Sequence, residues 1–253
     1  IEAKVGKRED FHIRQLYYPY LEWSTRTEKQ LIPIFLTYTN GKYYFTRLSL
    51  DKNFGVLEII GNSCYTINEA PVARINVRDI LQDTPLAKEP DVPYPQANDL
   101  DRVIDLVKRI DSGLNKKGRI ADYFEFAPRQ ADYYANAGRY LGLLRKRGDR
   151  YLLTETGREF SGLTSRIDRT KFLLQQMLTR PSIRQVFLKF SATDFTPAGI
   201  TKHEITAIIK ENTGLTGTTP GRRASTLLSW LHWLGENCEF RGAPIWNKYH
   251  VDT

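Results

Sequence analysis

Two residues whose types and spacing could cleave a phosphodiester, Glu2 and Lys4, lie in an otherwise apolar segment over residues 1–5. Side chains alternate along a β-strand, so this spacing predicts a carboxylate and an ammonium on the same face. In phosphodiester cleavage a carboxylate can hold Mg²⁺, while an ammonium positions or helps to deprotonate water and offsets charge on the phosphorane. The pair alone is also compatible with an ordinary solvated strand face.

A second group of residues has side chains that can recognise bases in the major groove of DNA. Arg129, Gln130 and Tyr133 open a predicted helix, and arginine and glutamine can pair with guanine and adenine in the major groove. Tyr134, Ala137 and Leu141 recur at helical spacing in the same segment, which indicates that part of this helix packs in a core.

Phosphate contacts are predicted at two further places, where basic side chains fix register without reading sequence. One is a basic turn, which could instead be merely solvated. The other opens a long predicted helix, where free amides and the helix dipole favour an anion. The residues of the turn are Arg145, Lys146, Arg147 and Arg150, and those of the helix start are Thr218, Thr219, Arg222 and Arg223.

The charge distribution agrees with a polyanion partner. The 253 residues carry 37 Lys and Arg against 29 Asp and Glu, a net charge of +8. Residues 1–93 are neutral, so residues 94–253 carry the whole excess. A basic face of this kind suits nucleic acid.

Several other functions are disfavoured by the sequence. No apolar run reaches the roughly 18 residues of a membrane helix, so we expect no membrane partner and a cytoplasmic location. The four histidines match no zinc-ligand spacing, and no phosphate-binding glycine motif is present. Cys64 and Cys238 match no CxxC motif, and buried thiols are expected.

The first half of the chain predicts a strand, a helix and a hairpin. Residues 9–23 have helical spacing, and Pro19 should kink or end that helix. Residues 31–39 and 42–50 are β-branched and aromatic and are joined by Asn40-Gly41, a strong hairpin signal. The four prolines of residues 83–97 predict an extended linker.

Beyond that linker the predicted order is that of a winged helix-turn-helix. Three helices, a basic turn and a short strand follow one another, an order in which the third helix enters the major groove. A weaker second copy follows it. The first copy comprises helices near 98–113, 117–124 and 128–144, the turn 145–150 and a strand at 151–153; the second comprises helices near 165–178, 181–190, 201–210 and 218–234 and a strand-like segment at 242–247.

Four segments carry a family resemblance: residues 5–20, 93–106, 129–144 and 222–234. Together they resemble blocks of type II restriction endonucleases in which a PD-(D/E)XK nuclease core precedes winged-helix modules. The resemblance implies an α+β fold: the C-terminal part of a PD-(D/E)XK α/β core followed by two mostly helical modules. It places that core at 1–82, a linker at 83–97 and the modules at 98–163 and 164–253.

The resemblance also assigns roles. It makes Glu2 a metal ligand for Mg²⁺, Lys4 the catalytic lysine and Gln15 a group that orients substrate. The first acid of the family pattern has no counterpart in this sequence. We expect that acid upstream of Ile1, and a chain without it to be inactive.

The resulting expectation is a Mg²⁺-dependent, sequence-specific endonuclease of double-stranded DNA, of the type II restriction class. By analogy such an enzyme acts as a homodimer. One alternative is a non-catalytic winged-helix regulator that retains a degenerate nuclease remnant. Another is a protein-interaction scaffold, because winged helices also bind proteins.

Overall fold

The structure is a computed structural model that describes residues 1–6, 13–50, 57–67, 72–125 and 127–241. These ranges form a mixed α+β fold, as the sequence predicts. The chain divides into two units, residues 1–69 and 70–253. None of the helices in the described ranges is long and apolar enough to cross a membrane.

In its described residues, the first unit is a four-stranded sheet with one helix. Its strands lie in the order β1-β2-β3-β4; β1 is parallel to β2, and the remaining neighbours are antiparallel. The elements are β1 (Glu2–Val5), α1 (Arg14–Ser24), β2 (Ile34–Thr39), β3 (Lys42–Leu50) and β4 (Leu57–Thr66).

The hairpin between β2 and β3 is the one predicted from Asn40-Gly41. Both residues have positive φ, 45° and 78°, which asparagine and glycine tolerate best. The helix predicted over 9–23 is present as α1, although residues 7–12 lie outside the described ranges. Pro19 lies within α1, which continues to Ser24. Leu16 of α1 packs in the core of this unit.

The second unit is mostly helical, and its first part has the helix, helix, helix, hairpin order expected. Its elements are β5 (Ala73–Asn76), α2 (Val77–Asp83), α3 (Leu100–Arg109), α4 (Lys117–Phe124), α5 (Pro128–Tyr140), β6 (Leu144–Arg147), β7 (Arg150–Leu153), α6 (Glu155–Gly162), α7 (Arg166–Leu178), α8 (Pro181–Ala192), α9 (Lys202–Thr213), α10 (Thr219–Asn237) and β8 (Cys238–Arg241).

Within the described part of this unit, one hydrophobic core runs from Ala73 to Cys238. The predicted border between residues 163 and 164 therefore does not separate two cores. The long helix α10 is fastened to the start of α3: Trp230 donates to the carbonyl of Ala97 over 2.8 Å, and Trp233 to Asp101 over 3.0 Å. Both tryptophans are core residues.

The segment 83–97 is bound to the helical unit rather than being a free linker. The Arg184 guanidinium donates to the carbonyl of Thr84 over 2.6 Å, and the Glu89 carboxylate accepts from the backbone N–H of Ser182 over 2.8 Å. The prolines keep the segment extended, but these partners lie about a hundred residues away in sequence, beyond the reach of local patterning. The border between units is at residues 69 and 70, ahead of the predicted one.

The second module differs from a copy of the first. Helices α9 and α10 are present as expected, but β8 pairs in parallel with β5 instead of forming a hairpin. The predicted strand-like segment 242–247 lies outside the described residues. Cys238 begins β8 and is buried, whereas Cys64 on β4 is exposed; both remain thiols, so burial was wrongly predicted for Cys64.

Gly157→Ala should destabilise the helical unit. A Cβ at Gly157 would lie 1.9 Å from the carbonyl oxygen of Leu143, which also accepts the backbone N–H of Thr154. Backbone must move to make room, so we expect a loss of about 3 kcal/mol in the free energy of unfolding, measured by urea denaturation. Gly162→Ala in the same helix meets no described atom within 4 Å and should change stability by under about 1 kcal/mol. Equal effects of the two variants would contradict this packing.

Candidate functional site

Glu2 and Lys4 lie side by side on β1. The Lys4 ammonium is 3.1 Å from a Glu2 carboxylate oxygen, and about a quarter of each side chain is exposed. The intervening Ala3 and the following Val5 are exposed on the other face. The prediction that the strand places the acid and the lysine on one face is confirmed.

Gln15 is exposed on the first turn of α1. No hydrogen bond joins it to Glu2 or Lys4 among the described residues. Its predicted role in orienting substrate therefore stays a prediction.

The described residues do not by themselves make a complete magnesium site. They contain no group of three or more acidic, histidine or cysteine side chains able to hold a metal ion. Glu2 supplies one carboxylate, which Lys4 already engages. Mg²⁺ takes six oxygen ligands and is usually held by one or two carboxylates together with water and substrate phosphates.

The first unit also has a cleft of about 440 Å³ that the sequence analysis did not anticipate. It lies between the end of α1, the loop that follows and β3, and its wall includes Tyr20, Lys29 and Ser49. Glu2, Lys4 and Gln15 do not line it, so the acid–lysine pair and this cleft are separate features.

In the helical unit, the hairpin formed by β6 and β7 is tied to the segment that leads into α4. The backbones of Lys116 and Arg150 form an isolated antiparallel β-bridge. The backbone N–H of Tyr151 donates to the carbonyl of Asn115 over 2.8 Å. Gly148, with a φ of 59°, forms the turn with Asp149. The hairpin is thereby held against the three-helix part of the unit.

The predicted basic turn is this hairpin, and Arg145, Lys146, Arg147 and Arg150 are all exposed on it. Arg147 pairs directly with Arg150, and Arg145 lies two residues before Arg147, so the three arginines share one face. Lys146 is on the other face, where its ammonium lies 5.5 Å from the Tyr151 ring.

Helix α5 presents some of its predicted residues and buries others. Arg129 is exposed and lies over the Tyr133 ring at 5.5 Å. Gln130 is exposed too, but its side-chain carbonyl accepts the backbone N–H of Ala127 over 3.1 Å and caps the helix. Tyr134 is buried, in agreement with its helical spacing.

Asp132 joins helix α5 to both neighbouring elements, and sequence reasoning missed it. Its carboxylate lies 2.5 Å from the Lys117 ammonium of α4 and accepts the Tyr151 hydroxyl of β7 over 2.9 Å. Burial works against ionisation, but the hydrogen bonds from Lys117 and Tyr151 and the charge of Lys117 outweigh it, so the pKa of Asp132 is lowered. One sequence feature could have drawn attention to Asp132: it is the single acidic residue between Glu125 and Asp149, in an otherwise basic segment.

We expect Asp132→Asn to lower the free energy of unfolding by about 1–3 kcal/mol at neutral pH, because it removes a charged acceptor. Because the pKa of Asp132 is lower in the folded protein than its usual value of 3.8, its ionised carboxylate stabilises the fold fully at pH values above 3.8. That stabilisation is lost as the pH falls through the pKa of the folded protein. The stabilities of wild type and variant should therefore converge below pH 3.8. Thermal unfolding, followed as a function of pH, measures this convergence.

Asp149→Asn is the matched control for Asp132→Asn. It removes a carboxylate in the hairpin turn that is paired to Lys116 at 2.8 Å but fully exposed to solvent. Exposed pairs contribute little, so stability should be nearly unchanged. If the difference in stability between Asp132→Asn and wild type persisted at low pH, the ionised carboxylate would not be its source.

The start of α10 provides fewer free amides than its sequence suggested. Pro220 supplies no N–H in the first turn, and the Thr218 hydroxyl accepts from Arg222 over 3.2 Å. The dipole of α10 remains, but Thr218 and Thr219 offer less to an anion than predicted. The arginines are the stronger feature at this end.

Arg223 is partly buried near the start of α10. Burial lowers the pKa of its guanidinium, the charge of Arg222 lowers it further, Tyr133 acts in the opposite direction, and Arg129 again lowers it.

Comparison with protein families gives two matches. A family described as Domain of unknown function (DUF7226) matches residues 102–239, more than half of the chain. The chain belongs to this family. The DUF7226 match lies within the helical unit, and Domain of unknown function (DUF6997) matches residues 1–66, nearly the whole of the first unit. Neither a curated protein nor a solved structure matches the chain.

Proposed function

We propose that this DUF7226 protein binds double-stranded DNA through its helical unit. In this proposal residues 98–163 act as a winged helix, with the β6–β7 hairpin as the wing on the phosphate backbone and α5 in the major groove. The observation that carries it is the exposed face of the hairpin on which Arg145, Arg147 and Arg150 lie together.

The arrangement of those arginines is costly unless an anion is bound. Like charges directly opposite each other on paired strands repel, and Arg147 faces Arg150. A duplex phosphate would turn this repulsion into two attractive contacts. A net charge of +8, all of it in residues 94–253, supports the same partner.

In this proposal, helix α5 recognises the base sequence. Arg129 and Tyr133 are available on its surface, whereas Gln130 must give up its capping contact with Ala127 to reach a base with its carbonyl oxygen. We therefore place more of the readout on Arg129, whose guanidinium matches the acceptor edge of guanine. Arg145, Arg147 and Arg150 position the duplex, whereas Lys146 lies on the opposite face of the hairpin.

We further propose that the protein is a type II restriction endonuclease, with residues 1–82 as the C-terminal part of a PD-(D/E)XK core. The favouring observation is the Glu2–Lys4 pair, 3.1 Å apart on one face of β1. Lys4 would hold water near the scissile phosphate and offset charge on the phosphorane. The pair itself contains one carboxylate, that of Glu2, so no step is assigned to a metal. Mg²⁺ dependence, a homodimer and a cytoplasmic location belong to this same proposal.

Selection from a pool of random duplexes tests the binding proposal. The wild-type chain should enrich a defined sequence, because α5 reads base edges while the hairpin only positions the backbone. Enrichment of no sequence, together with weak retention of all duplexes, would contradict sequence-specific recognition. Retention of no duplex at low salt would contradict DNA binding altogether and favour a protein-interaction scaffold.

A further inference from the structure

One face of the four-stranded sheet in the first unit carries apolar side chains that are not buried. On β2 the polar Thr37 and Thr39 are buried, whereas Leu36 and Tyr38, which alternate with them, are only partly covered. A sheet packed on one side normally buries its apolar side chains and exposes its polar ones. Because exposed apolar patches mark interaction sites, this face is a candidate binding surface.

The register of the strands arranges the side chains of this face in three rows. Residues directly opposite each other on paired strands lie on the same face, and none of the residues in these rows is buried. We call the surface that they form the aromatic face. Its rows are Val5, Tyr38, Tyr43 and Tyr65; Ala3, Leu36, Phe45 and Ser63; and Ile34, Arg47 and Gly61.

Helix α1 and the acid–lysine pair lie on the opposite face of the sheet. Leu16 of α1 packs in one cluster with Phe35 and Leu48. Phe35 is the partner of Glu2 in the parallel pairing of β1 with β2. The aromatic face is therefore separate from the candidate catalytic pair.

Four aromatic rings lie close together on the aromatic face. The ring centres of Tyr38 and Tyr43 are 4.8 Å apart, and those of Phe45 and Tyr65 are 5.6 Å apart. Tyr65, on β4, is 58% exposed. Aromatic rings on a protein surface stack with the bases of a single nucleic acid strand, whatever the base.

The charge of the aromatic face favours an anionic ligand. Arg47 is exposed, and it is the single charged residue in the three rows. A Cβ at Gly61 would lie 2.8 Å from Nη2 of Arg47, so the guanidinium lies over this glycine on the aromatic face. A second copy of the chain fits less well, because two such faces would bring positive charges together without an acidic partner.

We propose that the aromatic face binds single-stranded DNA, with bases stacked on Tyr43, Phe45 and Tyr65 and one phosphate bound by Arg47. The bases of a duplex stack on each other, so their faces are not accessible to these rings. The choice of DNA rests on the proposed function. The aromatic face itself lies in the other unit from the hairpin and does not depend on the duplex contacts.

Removing two rings while keeping apolar bulk tests the stacking. Phe45→Leu combined with Tyr65→Leu should lower affinity for a labelled oligothymidine of about eight nucleotides by about tenfold to a hundredfold, measured by fluorescence anisotropy. Tyr18→Leu, which removes an exposed ring from α1, is the control and should bind like wild type. Equal affinity of the double variant and wild type would overturn the proposal.

Tyr65→Trp keeps a ring at the same place and separates loss of stacking from loss of folding. Its affinity for the oligothymidine should stay within about twofold of wild type, because a tryptophan ring also stacks with bases. The fluorescence of the added tryptophan should be quenched on binding. Binding without quenching would place the strand elsewhere on the protein and overturn the site.

Arg47→Gln tests the phosphate contact. It should reduce the slope of log affinity against log salt for the oligothymidine by about 0.7, the value for one phosphate of a single strand. An unchanged slope would remove this contact from the proposal.

A reciprocal comparison distinguishes failure of this site from failure of the proposed function. Arg145→Ala combined with Arg147→Ala should lose duplex affinity and retain the oligothymidine, and the Phe45→Leu, Tyr65→Leu variant should do the reverse. If wild type binds no duplex but binds the oligothymidine through the aromatic face, the inference stands and the proposed function falls. If wild type binds duplex and no oligothymidine, the proposed function stands and the inference falls.

Two other occupants of the aromatic face have their own results. If the face covers a second copy, the wild type should sediment as a dimer and bind no oligothymidine, which would overturn the proposal. Tighter binding of oligouridine than of oligothymidine would overturn the choice of DNA over RNA.

Discussion

Lys4→Ala in the full-length gene product is expected to slow plasmid cleavage in Mg²⁺ by about a hundredfold to a thousandfold, the usual effect of losing a group that stabilises transition-state charge. Lys4 is partly exposed and its ammonium already lies beside Glu2, so the variant removes one charge without opening a core. Duplex affinity should stay within about twofold, since the binding elements lie in the other unit. Agarose gels for cleavage and anisotropy for binding measure the two effects.

Lys29→Ala is the matched control, because Lys29 is an exposed lysine in the same unit. It should cleave at the wild-type rate. Unchanged cleavage by Lys4→Ala would remove the catalytic role of Lys4. Duplex binding without any cutting by the wild-type full-length protein would instead support the non-catalytic regulator.

The second large effect is expected from Arg145→Ala combined with Arg147→Ala. Two phosphate contacts from one face of the hairpin are lost, so affinity for every duplex should fall by about tenfold to a hundredfold. The slope of log affinity against log salt should flatten by about two. Because the preferred sequence is read elsewhere, it should not change.

The control for charge alone is Lys88→Ala combined with Lys171→Ala, which removes two exposed positive charges away from the hairpin. Its affinity should stay close to that of wild type. An equal loss in both double variants would mean that binding depends on net charge and not on the hairpin. The hairpin variant should also be no less stable than wild type, because it ends the repulsion between Arg147 and Arg150.

Local patterns in the sequence were sufficient to predict most elements. Asn40-Gly41 defined a hairpin because few residues accept two successive positive φ angles. Helix α4 was predicted at 117–124, where it is observed, and Pro128 opens α5 as expected. The alternation of a strand also sufficed to place Glu2 and Lys4 on one face.

Contacts between distant residues were outside the reach of such patterns. Four prolines made residues 83–97 look like a free linker, but Glu89 and Arg184 bind the segment to the helical unit. Charge counting treated Asp132 as one acid among many, although it holds α4, α5 and β7 together.

The central claim is that the helical unit binds duplex DNA through contacts with its phosphates. The affinity of the wild-type chain for a short duplex, measured over a series of salt concentrations, tests this claim most directly. Three hairpin arginines correspond to about three phosphate contacts, so log affinity should fall against log salt with a slope of about −3 between roughly 50 and 200 mM. That slope amounts to a loss of about sixtyfold over the series. Affinity that does not change with salt, or no affinity at the lowest salt, would contradict the account.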